Sequence, residues 1–161
     1  MIVSINTSGA LGKWSVDNLG KILHVKFIGF AHWVMSIRIS LMKDHSIEVD
    51  QAISATSIVA KYLDNATVRT STKFYKTTLP SDMILTKDDV STSDEQVEKL
   101  TKEFNIHYIV CIGSLIYLLS TIVDLIFAVQ NLAKFSSNTG KVHYEGLVHL
   151  LINIRDNKLW D

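Results

Sequence analysis

Few side chains in this sequence have the type and spacing to do chemistry. Two histidines, His143 and His149, fall on one apolar-periodic segment. A helical metal pair sits at i and i+4 so that both rings share a face, whereas a separation of six turns them about 120° apart. Cys111 is the lone cysteine, which excludes an internal disulfide and any multi-cysteine zinc site and fits a reducing compartment. It lies in an apolar run with no Lys or Arg nearer in sequence than Lys102, so it reads as a small buried hydrophobe and not as a thiolate nucleophile. Trp33 could stack on a base, but an aromatic within a strand pattern more often packs into a core. Lys21, Lys26, Arg38, Lys43, Lys61, Arg69, Lys73 and Lys76 give the first half positive charges that suit either a nucleic-acid backbone or plain solvation.

The totals narrow the classes. Sixteen Lys and Arg balance sixteen Asp and Glu, so the net charge gives no electrostatic reason for nucleic-acid or anionic-membrane binding. A length of 161 residues allows one ordinary domain but not a polymerase of several subdomains. The first residues lack the basic and apolar regions of a secretory signal, which implies an intracellular protein, cytoplasmic or nuclear.

The elements that must position these residues follow from periodicity. Residues 1–28 show no sustained pattern and are expected to be poorly ordered. Trp33 to Ile39 and Ser46 to Asp50, separated by the polar turn Lys43-Asp44-His45, predict a β-hairpin. Gln51 to Leu63 places Ala52, Ala55, Ile58, Val59, Tyr62 and Leu63 at helical spacing. Thr67 to Val90 reads as a long surface connection. Ser93-Asp-Glu-Gln96 is a capping-box signature that opens a helix to about Phe104. Thr121-Ile-Val-Asp124 repeats that logic and divides the following apolar stretch into two helices, near 107–119 and 122–135. After the turn cluster Ser136 to Gly140, the stripe Tyr144, Leu147, Val148, Leu151 and Ile154 predicts a last helix. The fold class is therefore α+β, a short hairpin and about five helices, the last three packed on one another.

One alternative comes from the same residues. Tyr108 to Val129 is twenty-two residues long with Asp124 as its single formal charge, enough to cross a bilayer. Ser120, Thr121 and Asp124 speak for a helix start inside it, and a carboxylate at the centre of a span costs roughly 2.5 to 3.5 kcal/mol.

Four blocks, in order, resemble the C-terminal part of the reverse transcriptase of copia-type LTR retrotransposons. They are Gly29-Phe-Ala-His32-Trp33-Val-Met-Ser-Ile-Arg38-Ile39, then Ile47-Glu-Val-Asp50-Gln51, then Cys111-Ile-Gly113-Ser114-Leu-Ile-Tyr117-Leu118 with Val123-Asp124 and Phe127-Ala-Val129, and last Gly140-Lys141-Val-His143-Tyr-Glu-Gly-Leu147 with Ile154-Arg-Asp156. The resemblance spans about 29–157 and implies the end of the palm, the thumb and the connection, with 158–161 as a tail. It implies a parent RNA-directed DNA polymerase that uses magnesium through a Tyr-x-Asp-Asp turn, inside a polyprotein that also holds protease, integrase and ribonuclease H. That turn is absent here, and Asp88-Asp89 falls outside the matching blocks, so no catalytic or metal-binding residue is carried over and no cofactor is expected. The expected partners are an RNA or DNA template-primer and other parts of the polyprotein. Three departures stand out: Met35-Ser36 where the family has Leu-Gly, Ile122-Val123 where it has Arg-Pro, and Ile152-Asn153 where it has Arg-Tyr. If the family's Arg pairs with the carboxylate now at Asp124, Ile122 leaves that carboxylate without its partner, and a buried unpaired charge costs on the order of 3 to 5 kcal/mol.

Overall fold

The structure, a computed structural model, describes residues 9–23, 32–63, 75–80, 82–91 and 93–157. The chain divides into two compact units, Met1–Glu48 and Val49–Asp161. The class is α+β, with six α-helices and a three-stranded sheet among the described residues.

In the first unit a helix, α1 (Gly9–Leu19), occupies part of the segment expected to be poorly ordered. Ala10, Leu11 and Lys13 favour a helix intrinsically, and the Asn18 side-chain amide donates to the Trp14 carbonyl one turn back. No apolar period announces it, because Leu11 and Trp14 are both exposed.

The expected first strand is split. β1 (Trp33–Val34) and β2 (Ile37–Leu41) pair antiparallel, with Trp33 opposite Arg38 and Val34 opposite Ile37. Met35 and Ser36 between them have φ of 51° and 63°, so they form a two-residue turn with both central residues left-handed. Glycine takes this conformation without the Cβ penalty; Ser36 bears it. A second tight turn, in which the Asp44 carboxylate accepts from the Ser46 amide and hydroxyl, leads into β3 (Ile47–Asp50) and completes the order β1-β2-β3. These two bonds hold the Asp44 carboxyl below the usual carboxylate range. Trp33, expected in a core, is half exposed, because a two-residue strand offers no second layer to pack on.

The second unit is helical. α2 (Ala52–Leu63) buries Ala55, Val59, Tyr62 and Leu63, the stripe read from the sequence. α3 (Asp94–Phe104) starts after Ser93 and stops at Asn105, whose left-handed φ of 52° ends the helix. Ser93 occupies the N-cap position, but its hydroxyl makes no cap bond, so the capping-box expectation is met in place and not in contact. The apolar stretch 108–129 is broken as expected into α4 (Tyr108–Leu118) and α5 (Ile126–Ala133), joined by a turn and a 3-10 segment at Val123–Leu125. Among the described residues no helix is long and apolar enough to cross a membrane.

α6 (Lys141–Asn157) is the centre of the unit, and α2, α3 and α5 pack against it. It is buried almost all round, from Gly146 through Ile154 without interruption. The last three helices do touch in sequence, but α2 packs on both α4 and α6, a closure that sequence spacing alone does not reveal. Phe104, Tyr108 and Tyr144 form an aromatic cluster, with ring centroids 4.9 and 5.2 Å apart. Its polar ends are satisfied: Tyr108 donates to the Leu132 carbonyl, and the Tyr144 and Thr101 hydroxyls lie 2.9 Å apart. Burial drives the Tyr108 phenol well above its ordinary range.

The connection before α3 is less loose than its composition suggests. Tyr75, Leu79 and Leu85 are partly buried against the core, and the 3-10 turn Lys87–Asp89 meets the start of α6. Gly140 fits there because it lacks a side chain: a Cβ would fall inside the contact radius of the Asp89 carbonyl oxygen. Gly140→Ala should therefore destabilise the protein by about 2 kcal/mol, the scale of overpacking, read as a lower urea midpoint. An unchanged midpoint would show that the turn yields freely.

Candidate functional site

Site residues suggested by the sequence separate into buried or half-buried positions that hold the second unit together and positions exposed at the surface. The most connected buried one is Gln51, which directly precedes α2 and is 1 % exposed. Its Oε1 accepts from the Thr121 hydroxyl at 2.8 Å and the Ser120 hydroxyl at 3.1 Å, both in the turn that ends α4. Thr121 thus serves α2 and not the expected capping box with Asp124. Asp50 acts beside it, accepting from the Ala52 amide at 3.1 Å and so setting the entry of the helix. Gln51 Nε2 has no hydrogen-bond partner.

His143 is fully buried in the first turn of α6. Its Nδ1 accepts from the Gly140 amide at 2.9 Å, which places the imidazole proton on Nε2, and its ring lies 4.2 Å from that of Phe135. Burial lowers its pKa below the ordinary histidine value, with the Asp89 carboxylate acting in the opposite direction. His149, two turns on, contacts Tyr75 and Thr77 instead, so the two histidines serve different neighbours. Among the described residues no group of three His, Cys, Asp or Glu is placed to hold a metal.

Ser114 links α4 to α2 through a 3.4 Å contact with the Tyr62 hydroxyl. Cys111, one turn before it, is buried, and burial pushes its thiol up to about 12, the setting of an inert packing residue. The other positions face outward. Gly113, Tyr117, Asp124 and Lys141 are exposed, Lys141 lying 3.7 Å from Glu103. Asp124 is therefore no buried unpaired charge, and the expected cost of losing an arginine partner does not arise. Ile122 takes the buried place instead, 6 % exposed. In the first unit His32, Trp33 and Arg38 are exposed, and Gly29 lies outside the described residues. Of the basic residues in the first half, Lys26, Arg69 and Lys73 also lie outside them.

Asp89 of the adjacent acidic pair is already engaged. Its carboxylate accepts from the Thr86 amide and hydroxyl at 2.9 and 2.7 Å, which holds it below the usual carboxylate range. The exposed surface shows one further feature, an uncharged stripe on α4 formed by Ile109, Val110, Gly113, Ile116 and Tyr117. No protein-family model, no curated protein and no solved structure matches this chain.

Two outcomes follow from the buried positions. Gln51→Ala removes the acceptor of two hydroxyls and should lower stability by about 2 kcal/mol, whereas Ser120→Ala, at an exposed hydroxyl, should stay within about 0.5 kcal/mol. Equal effects in urea unfolding would contradict the latch. The lowered pKa of His143 means that the unfolded chain binds its proton more readily, so its contribution is complete above pH 6.5 and is lost as pH falls below that value. The urea midpoint should drop between pH 7 and pH 5, and His143→Gln should shrink that drop; an undiminished drop would assign it elsewhere.

Proposed function

We propose that this chain corresponds to the part of a copia-type reverse transcriptase that follows the catalytic carboxylates, and that it takes no catalytic part in polymerisation by itself. Its ancestral task in this reading is to hold and position the template-primer for a palm supplied by other polyprotein sequence. The support is the order of four matching blocks, together with one observation that carries most weight. Motif positions from separate blocks converge on the packing of a single unit: Gln51 of the second block is hydrogen-bonded to the turn that follows the helix of the third, and Gly140 and His143 of the fourth lock its last helix. Three residues marked by the resemblance, Gln51, Gly140 and His143, are thus buried where the packing is tight, while Gly113, Tyr117, Asp124 and Lys141 are exposed.

The exposed motif positions fit the same reading. Gly113 and Tyr117 lie on the uncharged stripe of α4, a face suited to contact with further protein. That stripe also favours a second reading, an assembly module that binds intact polymerase copies.

The test is reconstitution. A copia-type polymerase fragment ending before the hairpin should extend a primer poorly alone and better when this chain is added or fused, with no extension by this chain alone in magnesium. Rescue would support the first reading. Co-purification with intact polymerase, without rescue of the shortened one, would favour the assembly module. Absence of both would overturn the polymerase origin.

A further inference from the structure

α6 grips a segment that has no helix or strand of its own. Three side chains on its surface reach backbone carbonyls of the stretch Tyr75–Pro80. The His149 Nε2–H donates to the Thr77 carbonyl at 2.9 Å, and the Asn153 and Asn157 amides donate to the Tyr75 carbonyl at 2.6 and 2.9 Å. The Tyr75 ring covers the His149 ring at 3.8 Å between centroids, and Leu79 seats beside Gly146, where a Cβ would meet Leu79, Met83 and Leu132. His149 is 9 % exposed, and the strap is what covers it on this side.

From this geometry we propose that Tyr75–Pro80 is a strap that closes on α6 while His149 is neutral and is released when His149 takes up a proton. Closure removes the imidazole from water, which disfavours its charged form, and opening restores hydration. Protons therefore bind the open form preferentially, and acidification through the histidine range shifts the population towards it. The direction of the His149 shift agrees: burial lowers it, and the Thr77 contact opposes.

Among the described residues no neighbouring charge acts on His149. The strap carries Lys76, α2 carries Lys61, α5 carries none, and Glu145 and Arg155 lie on α6 itself, where Arg155 is paired with Asp156. Charges on α3 lie along the other end of α6, and Asp89 of the 3-10 turn acts on His143. The strap can open separately because it is held by side chains and a few apolar anchors, not by a strand ladder. Release would uncover the apolar seat around Gly146.

The test uses the full chain in solution. Histidine and strap resonances are followed by NMR from pH 7.5 to 5, with amide exchange corrected for intrinsic rate. Tyr75, Thr77 and Leu79 should titrate with the midpoint of His149, below 6.5, and strap protection should fall up to tenfold per pH unit while Leu147 and Leu151 stay protected. His149→Gln, which keeps a donor but no titration, should hold the strap closed at pH 5.5. The proposal is overturned if His149 titrates while the strap signals stay flat, if they follow His143 instead, or if His149 stays neutral until the whole chain unfolds. Should His149→Gln fail to fold, the titration of the unaltered chain decides alone.

Discussion

The second unit depends on a helix that is buried on nearly every side and yet carries polar residues. Between His143 and Ile154, α6 places His143, His149 and Asn153 among apolar neighbours. A buried polar group without a partner costs about 1 to 3 kcal/mol, and the helix's own backbone is occupied by its ladder. Partners must come from outside. The Gly140 amide, the Thr77 carbonyl and the Tyr75 carbonyl each pair with one atom of these side chains, leaving His143 Nε2 and Asn153 Oδ1 without a partner, and each draws in a stretch of chain with no regular structure to hold it. Small residues make the approach possible: Gly140 admits the Asp89 carbonyl, and Gly146 admits Leu79 and Met83.

The remaining helices arrange themselves around that centre. α2 covers one side of α6 and also packs on α4, and Gln51 fixes the two by accepting from Ser120 and Thr121. α5 and α3 complete the enclosure, with Phe104, Tyr108 and Tyr144 filling the space between α3, α4 and α6. α4 is buried on one face only, and its uncharged outer stripe is the surface that the interior of this unit leaves over. In the polymerase reading, that surplus is where the rest of a larger assembly would rest.

Much of this was legible in the residues. Apolar spacing of 3.6 located α2 and α6, and a hydroxyl followed by a carboxylate divided the long apolar stretch into α4 and α5. The hairpin pattern was right in kind but missed the turn at Met35-Ser36, because neither residue type signals a left-handed conformation. The latch at Gln51 was marked only by resemblance, since its partners lie about seventy positions away and nothing local encodes that contact. The strap was invisible for a different reason: α6 binds its carbonyl oxygens, which every residue has. The exposure of Asp124 was not legible, because apolar surroundings in sequence do not decide which way a side chain on a short turn faces.

Native-state hydrogen exchange over the whole second unit tests the central claim most directly. If the buried polar helix organises the fold, amides from Leu147 to Ile154 should exchange slowest, together with those of α2, in a single cooperative opening. Slow exchange confined to α4 and α5, with α6 opening earlier, would contradict that order and make α6 a consequence of the packing around it.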